Sequence, residues 1–232
     1  MMERYVSAKD KASLAQKIAD DLTAQGEVLH PAAAHGKKIA NSFWGYAWCR
    51  AIEQWQDYES RLPSGRSLLR NGAVIDLTIE PGVVRAKVVH KELYDLTIFI
   101  DEPDEERLEA VRSKCTGKIT SLLDLLQGNL SEDILAVLGD RENGLFPEYG
   151  QIRASCSCID DACLCSHAAA ALYGIGAMLD DEPALLFKLR GIETAEFFDT
   201  GATADSLTSE SEFTAENLSE MFGIHLDGDI LS

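Results

Sequence analysis

Basic residues are scarce in this 232-residue chain: 21 Lys and Arg stand against 39 Asp and Glu, for a formal charge of −18. Coating nucleic acid takes clustered cations, so that general role is excluded and only a local basic patch stays open. Long apolar runs are absent too. No stretch of about 18 apolar residues occurs, so no membrane-spanning helix is expected. The start, Met1-Met2-Glu3-Arg4-Tyr5, turns polar at once and lacks a signal peptide's apolar core, which predicts a cytoplasmic location. Catalytic signatures are missing as well: no Walker A loop, no His-Glu-x-x-His and no Gly-x-Ser-x-Gly. Gly174-Ile175-Gly176 lacks the third glycine of a dinucleotide fingerprint. What is present is ordinary for a globular chain, 46% hydrophobic and 26% charged, and this excludes wholesale disorder.

The periodicities predict an α+β fold, a small antiparallel sheet packed with helices. Leu14, Ile18 and Leu22 recur at helical steps within residues 8–25. Trp44, Trp48, Ile52 and Trp55 form a second helical stripe, read either as core anchors or as a partner-binding face. Residues 37–70 carry a local charge of +3. Around Arg61-Leu62-Pro63-Ser64-Gly65-Arg66 they read as a solvated loop. The competing reading is a nucleic-acid contact through Lys37, Lys38, Arg61, Arg66 and Arg70. Residues 73–80, 83–90 and 93–100 alternate in strand fashion with a Pro81-Gly82 turn, which predicts an antiparallel meander. One helix is expected over 104–127 and a shorter one over 132–138, capped by Ser131. From residue 180 onward 13 acids face 2 bases, with a linker expected over 200–212 and a short helix over 214–226.

Cysteine carries the chemistry. Cys49 and Cys115 stand alone in apolar-periodic segments, but Cys156, Cys158, Cys163 and Cys165 fall within ten residues and His167 follows. In a reducing compartment such a cluster reads as metal binding. Cys156-x-Cys158 on an extended chain sends both sulfurs to one face, because side chains alternate with period two. Cys165 and His167 cannot share an ion from mid-helix, where i and i+2 point about 200° apart. They can if Cys165 precedes the first turn and His167 enters it, and the helix start then favours a thiolate. Three Cys and one His make a tetrahedral zinc set, one Zn²⁺ per chain, with no position left for an activating water, so the reading is structural and not enzymatic. Cys163 is an extra thiol in the gap: a bystander, a ligand in place of His167, or a redox partner. His30, His35, His90 and His225 read as surface residues.

The pattern Cys156-x-Cys158-x6-Cys165-x-His167 resembles the SWIM zinc finger. Its surroundings resemble bacterial SWIM zinc-finger proteins at Phe43-Trp44-Gly45-x-Ala47-Trp48, Arg61-Leu62-Pro63-x-Gly65-Arg66, Gly144-Leu145-Phe146-Pro147, Leu172-Tyr173-Gly174-Ile175-Gly176-Ala177 and Leu186-Phe187-Lys188-Leu189-Arg190-Gly191, with Phe222-Gly223-Ile224 near the end. The resemblance covers roughly residues 37–193. It implies a strand–Cys-x-Cys–loop–Cys-x-His–helix module and a non-catalytic adaptor for a protein partner such as a Snf-type helicase-like ATPase, or a DNA- or RNA-binding accessory protein. Two departures weaken the nucleic-acid branch. Ile159-Asp160-Asp161 stands where the family commonly has Pro-Asp-Trp, and Ser166 where it often has a basic residue. The expected organisation is an N-terminal helical region (1–40), an α+β domain (41–145), the zinc module (146–199) and an acidic tail (200–232).

Overall fold

The computed structural model describes residues 8–34, 36, 38–54, 60–119, 122–160 and 164–194. Lys37, Trp55, Cys163 and the expected linker and helix of the acidic tail lie outside them. The elements run α1 (Ala8–Ala24), α2 (Phe43–Glu53), α3 (Leu62–Arg70), β1 (Val74–Glu80), β2 (Val83–Val89), β3 (Leu93–Ile100), α4 (Glu105–Cys115), α5 (Leu122–Gln127), α6 (Glu132–Leu138), β4 (Ile152–Cys156), α7 (Ser166–Asp181) and α8 (Ala184–Arg190). The fold is α+β. The four strands form one antiparallel sheet in the order β1-β2-β3-β4. No helix among the described residues is long and apolar enough to cross a membrane.

The meander forms where alternation predicts it, with one change. The β1–β2 register slips between Val74 and Asp76, a bulge at Ile75. The extra residue reverses the parity. Val74 therefore joins Leu77 and Ile79 on the main core face, while Ile75 turns to the opposite face and packs with Ala15 of α1 and Val89.

α7 is the core helix. Ala168 to Ala177 are buried all round, with the sheet on one side and α2 and α3 on others. That explains its run of small residues: backbones must approach closely where three layers meet. α3 corrects the loop reading of residues 61–70. Pro63 sits in the first turn, where a missing N–H costs nothing, and Gly65 lies against Ala169. The single helix expected over 104–127 is two helices. Gly117 takes φ +71° and Thr116 Oγ1 donates to the Arg112 carbonyl at 2.9 Å, which ends α4. α8, framed by Pro183 and a left-handed Gly191, has no counterpart in the sequence-based expectation.

The boundaries expected at 40/41 and 145/146 do not separate cores. Ala32 N donates to Val74 O and Leu77 N to His30 O, so the chain after α1 lies along β1. β4 pairs with β3 from Ile100↔Ile152 to Leu96↔Cys156, so the cysteine segment is an edge of the meander's own sheet.

Two buried arginines hold the approach to β4. Arg107 donates to Gly144 O (2.7 Å), Phe146 O (2.9 Å) and Glu148 (2.6 Å). Arg190, 0% exposed, donates to the Asp101 carbonyl and to Gln151 Oε1. Burial, with Arg107 nearby, pushes Arg190 down to about 10. Replacing Arg107 with Met strands two carbonyls, so Arg107→Met is expected to lose about 2–4 kcal/mol, read as a lower urea midpoint at unchanged slope.

Candidate metal centre

The four expected ligands converge. The donor atoms of Cys156, Cys158, Cys165 and His167 all lie within 4.8 Å of one another. His167 Nδ1 is 3.8 Å from the sulfurs of both Cys156 and Cys165. Sulfurs bound at about 2.3 Å around a tetrahedral ion stand about 3.8 Å apart, so the cluster fits one ion with little movement.

Each ligand has a structural reason for its place. Cys156 ends β4 with its side chain on the face shared with Ala154 and Ile152. Past it, Ser157 N donates to Asp95 O (3.0 Å) and Ser157 Oγ accepts from Asp95 N (3.1 Å). That pins the knuckle so that Cys158 follows Cys156 onto the same side. Cys165 is the N-cap of α7 in extended conformation (φ −81°, ψ 172°), and its sulfur accepts from Ala168 N at 3.4 Å. His167 enters the first turn. This is the arrangement that the i, i+2 spacing requires.

Burial shapes the electrostatics. It pushes the Cys156 thiol up to about 12 and the Cys165 thiol up as well. Burial, with His90 beside it, holds His167 down to about 4. Without a cation these groups are neutral, so metal uptake releases protons and weakens as pH falls.

The other predicted contact residues have different fates. Trp44, Trp48 and Ile52 are 0% exposed, so the described part of the stripe is core, which corrects the partner-face reading of Trp44 and Trp48. The Trp44 indole donates to the Leu125 and Leu126 carbonyls, and that of Trp48 to Leu172 O at 2.7 Å. Arg61 pairs with Asp160 at 3.1 Å, tying the start of α3 to the metal loop. Arg66 is held by Glu53 and by Tyr173 Oη (2.9 Å). Lys38 and Arg70 are exposed.

Two neighbours of the centre were not expected. Tyr94 stacks on the His167 ring (centroids 4.0 Å, 17°), and His90 Nδ1 lies 3.4 Å from His167 Nε2, which corrects the surface reading of His90. The β3–β4 register, which the sequence does not announce, brings them there: Leu96 faces Cys156, so Tyr94 lies alongside Cys158, and His90 sits at the head of the same hairpin.

Fold and site define an α+β protein with a Cys3His cluster positioned to bind one metal ion. No protein-family model matches the chain, and no solved structure matches it. It is similar to the uncharacterized protein Rv2102 of Mycobacterium tuberculosis, 29% identical over 169 residues. The match covers 72% of this chain and 61% of Rv2102, so the chain spans less than two thirds of that relative's length.

Proposed function

We propose that this chain is a SWIM-type zinc protein whose metal is structural and whose role is to dock a protein partner, with a helicase-like ATPase as the class that the family resemblance suggests. The observation that carries the reading is the donor set: three thiols and one imidazole around a single point. Soft thiolates in tetrahedral array suit zinc, and four protein donors leave no open position for a water or substrate. The bound ion supplies charge compensation and cross-linking. The chain's own residues supply the corner between β4 and α7.

A docking role draws on Ile159, the residue after Cys158, which is 100% exposed. A fully exposed aliphatic side chain on a metal-braced loop is a low-entropy contact for a partner. The nucleic-acid branch is less favoured, because Arg61 and Arg66 are committed to Asp160 and Glu53.

Protein purified without chelator is expected to carry one zinc per chain by elemental analysis. X-ray absorption is expected to show three sulfurs and one nitrogen and no water oxygen. A metal content near zero, or a water in the shell, removes the structural-zinc reading. For docking, Ile159→Lys is expected to keep its zinc and lose the partner that wild type captures in a pull-down. An unchanged partner would place the docking surface elsewhere.

A further inference from the structure

We infer that His90 is a positioning residue of the metal centre: its Nδ1 accepts the Nε2–H of His167 and thereby fixes the tautomer and ring angle that aim His167 Nδ1 at the three sulfurs. The inference rests on the reading that a metal binds there, and it adds a fifth residue to the site.

The argument starts from the imidazole. A neutral ring has one lone pair to give and one N–H to place. His167 turns Nδ1 toward the sulfurs, 3.8 Å from two of them, so a ligating lone pair must be on Nδ1 and the hydrogen on Nε2. His167 is only 7% exposed, so that N–H needs a protein acceptor. His90 Nδ1 lies 3.4 Å from Nε2, on the side of the ring away from the sulfurs, where it accepts and does not ligate. To accept there, His90 must carry its own hydrogen on Nε2. One contact therefore sets both tautomers.

The surroundings hold this pair in place. His90 closes the β2–β3 turn, its backbone N–H donating to Glu92 O at 3.0 Å. Tyr94, on the other arm of that hairpin, stacks nearly parallel on His167 and limits rotation of the ring. Metal-ligating histidines commonly donate their second N–H to a carboxylate or carbonyl. Here a second imidazole takes that place, and it links the meander's hairpin to the corner formed by β4 and α7.

The test compares wild type, His90→Ala and His90→Gln, whose amide oxygen keeps an acceptor. Zinc affinity is measured by competition with a chromogenic chelator. Loss of the outer-shell acceptor is expected to weaken binding by about 10- to 100-fold in the Ala variant, with most of the loss recovered in the Gln variant. Equal affinity in all three overturns the inference, as does a Gln variant as weak as the Ala variant, since then ring packing alone matters. Nitrogen NMR of zinc-loaded wild type gives a reading that needs no variant. His167 should show a metal-bound Nδ1 and protonated Nε2, and His90 a protonated Nε2 with Nδ1 bare. The opposite His90 tautomer overturns the inference even if a variant fails to fold. Wild type that binds no zinc at all instead defeats the metal reading, so the two failures are distinct.

Discussion

Replacing Cys158 with serine, or stripping the metal with a chelator, is expected to lower the melting temperature by about 8–16 °C. That range corresponds to about 4 kcal/mol for a chain of this size. The effect is large because of where the ion would sit. Cys156 closes β4, Cys165 caps α7, and α7 is the helix that the sheet, α2 and α3 all pack against. Losing the cross-link uncouples the end of β4 from the first turn of the core helix. Structural zinc in isolated finger peptides is worth on the order of 10–16 kcal/mol. Less is expected here, because β4 keeps its ladder to β3 and α7 keeps its burial. Acid is expected to act in the same direction: the ligating sulfurs must be thiolates, so a bound zinc would be released as pH falls. Cys115→Ala is the control, a buried thiol outside the donor cluster, expected to keep full metal content while losing only a small side chain's packing. Differential scanning with and without chelator, paired with elemental analysis, checks this. A shift below about 2 °C on complete metal removal would show that the corner does not brace the fold.

What the sequence disclosed and what it concealed divide along the range of the interactions. The ligand set was legible because both halves are local: period two places Cys156 with Cys158, and the 3.6 period forces Cys165 to the helix start. The meander was legible for the same reason, its strands being joined by short turns. Long-range choices were not. Nothing near residue 152 says that β4 adds to β3, yet that pairing brings Tyr94 and His90 to the centre. Residues 61–70 carry Pro63 and Gly65, which read as loop residues. In the fold they are a first-turn proline and a close-contact glycine, meanings that exist only once α7 lies alongside. The bulge at Ile75 is likewise decided by α1 covering the outer face of the sheet. Arg107 and Arg190 gave no sign of burial, since the carbonyls and side-chain acceptors that make burial tolerable are brought to them across the fold.

Adding one carbon at Gly65 or Gly45 is the other change expected to be costly, and the two differ in what they do to the metal. A Cβ at Gly65 would stand 2.5 Å from Ala169 Cβ and 2.7 Å and 2.8 Å from backbone atoms of Ala169 and Ala170. A Cβ at Gly45 would overlap the Gly176 carbonyl and come within 2.5 Å of Asp180 Oδ1, which accepts from Ser42 N and Oγ. In each case helix backbone has to move. The gain of about 1 kcal/mol that alanine normally brings over glycine in a helix is therefore outweighed. Gly65→Ala and Gly45→Ala are each expected to destabilise by about 2–3 kcal/mol net. Gly150→Ala, with nothing within 4 Å of its added carbon, is expected to stay within about 0.5 kcal/mol of wild type. The metal separates the two. Ala169 lies one turn beyond Cys165, so pushing α7 away at that point drags Cys165 and His167 out of the tetrahedron, and Gly65→Ala should bind zinc more weakly. Gly176 is nine residues past His167, about 14 Å along the helix, so Gly45→Ala should lose stability and keep its zinc affinity. Chemical denaturation alongside chelator competition reads both quantities. Equal zinc affinity in the two variants would mean that the ligand corner floats free of the helix packing that α3 imposes.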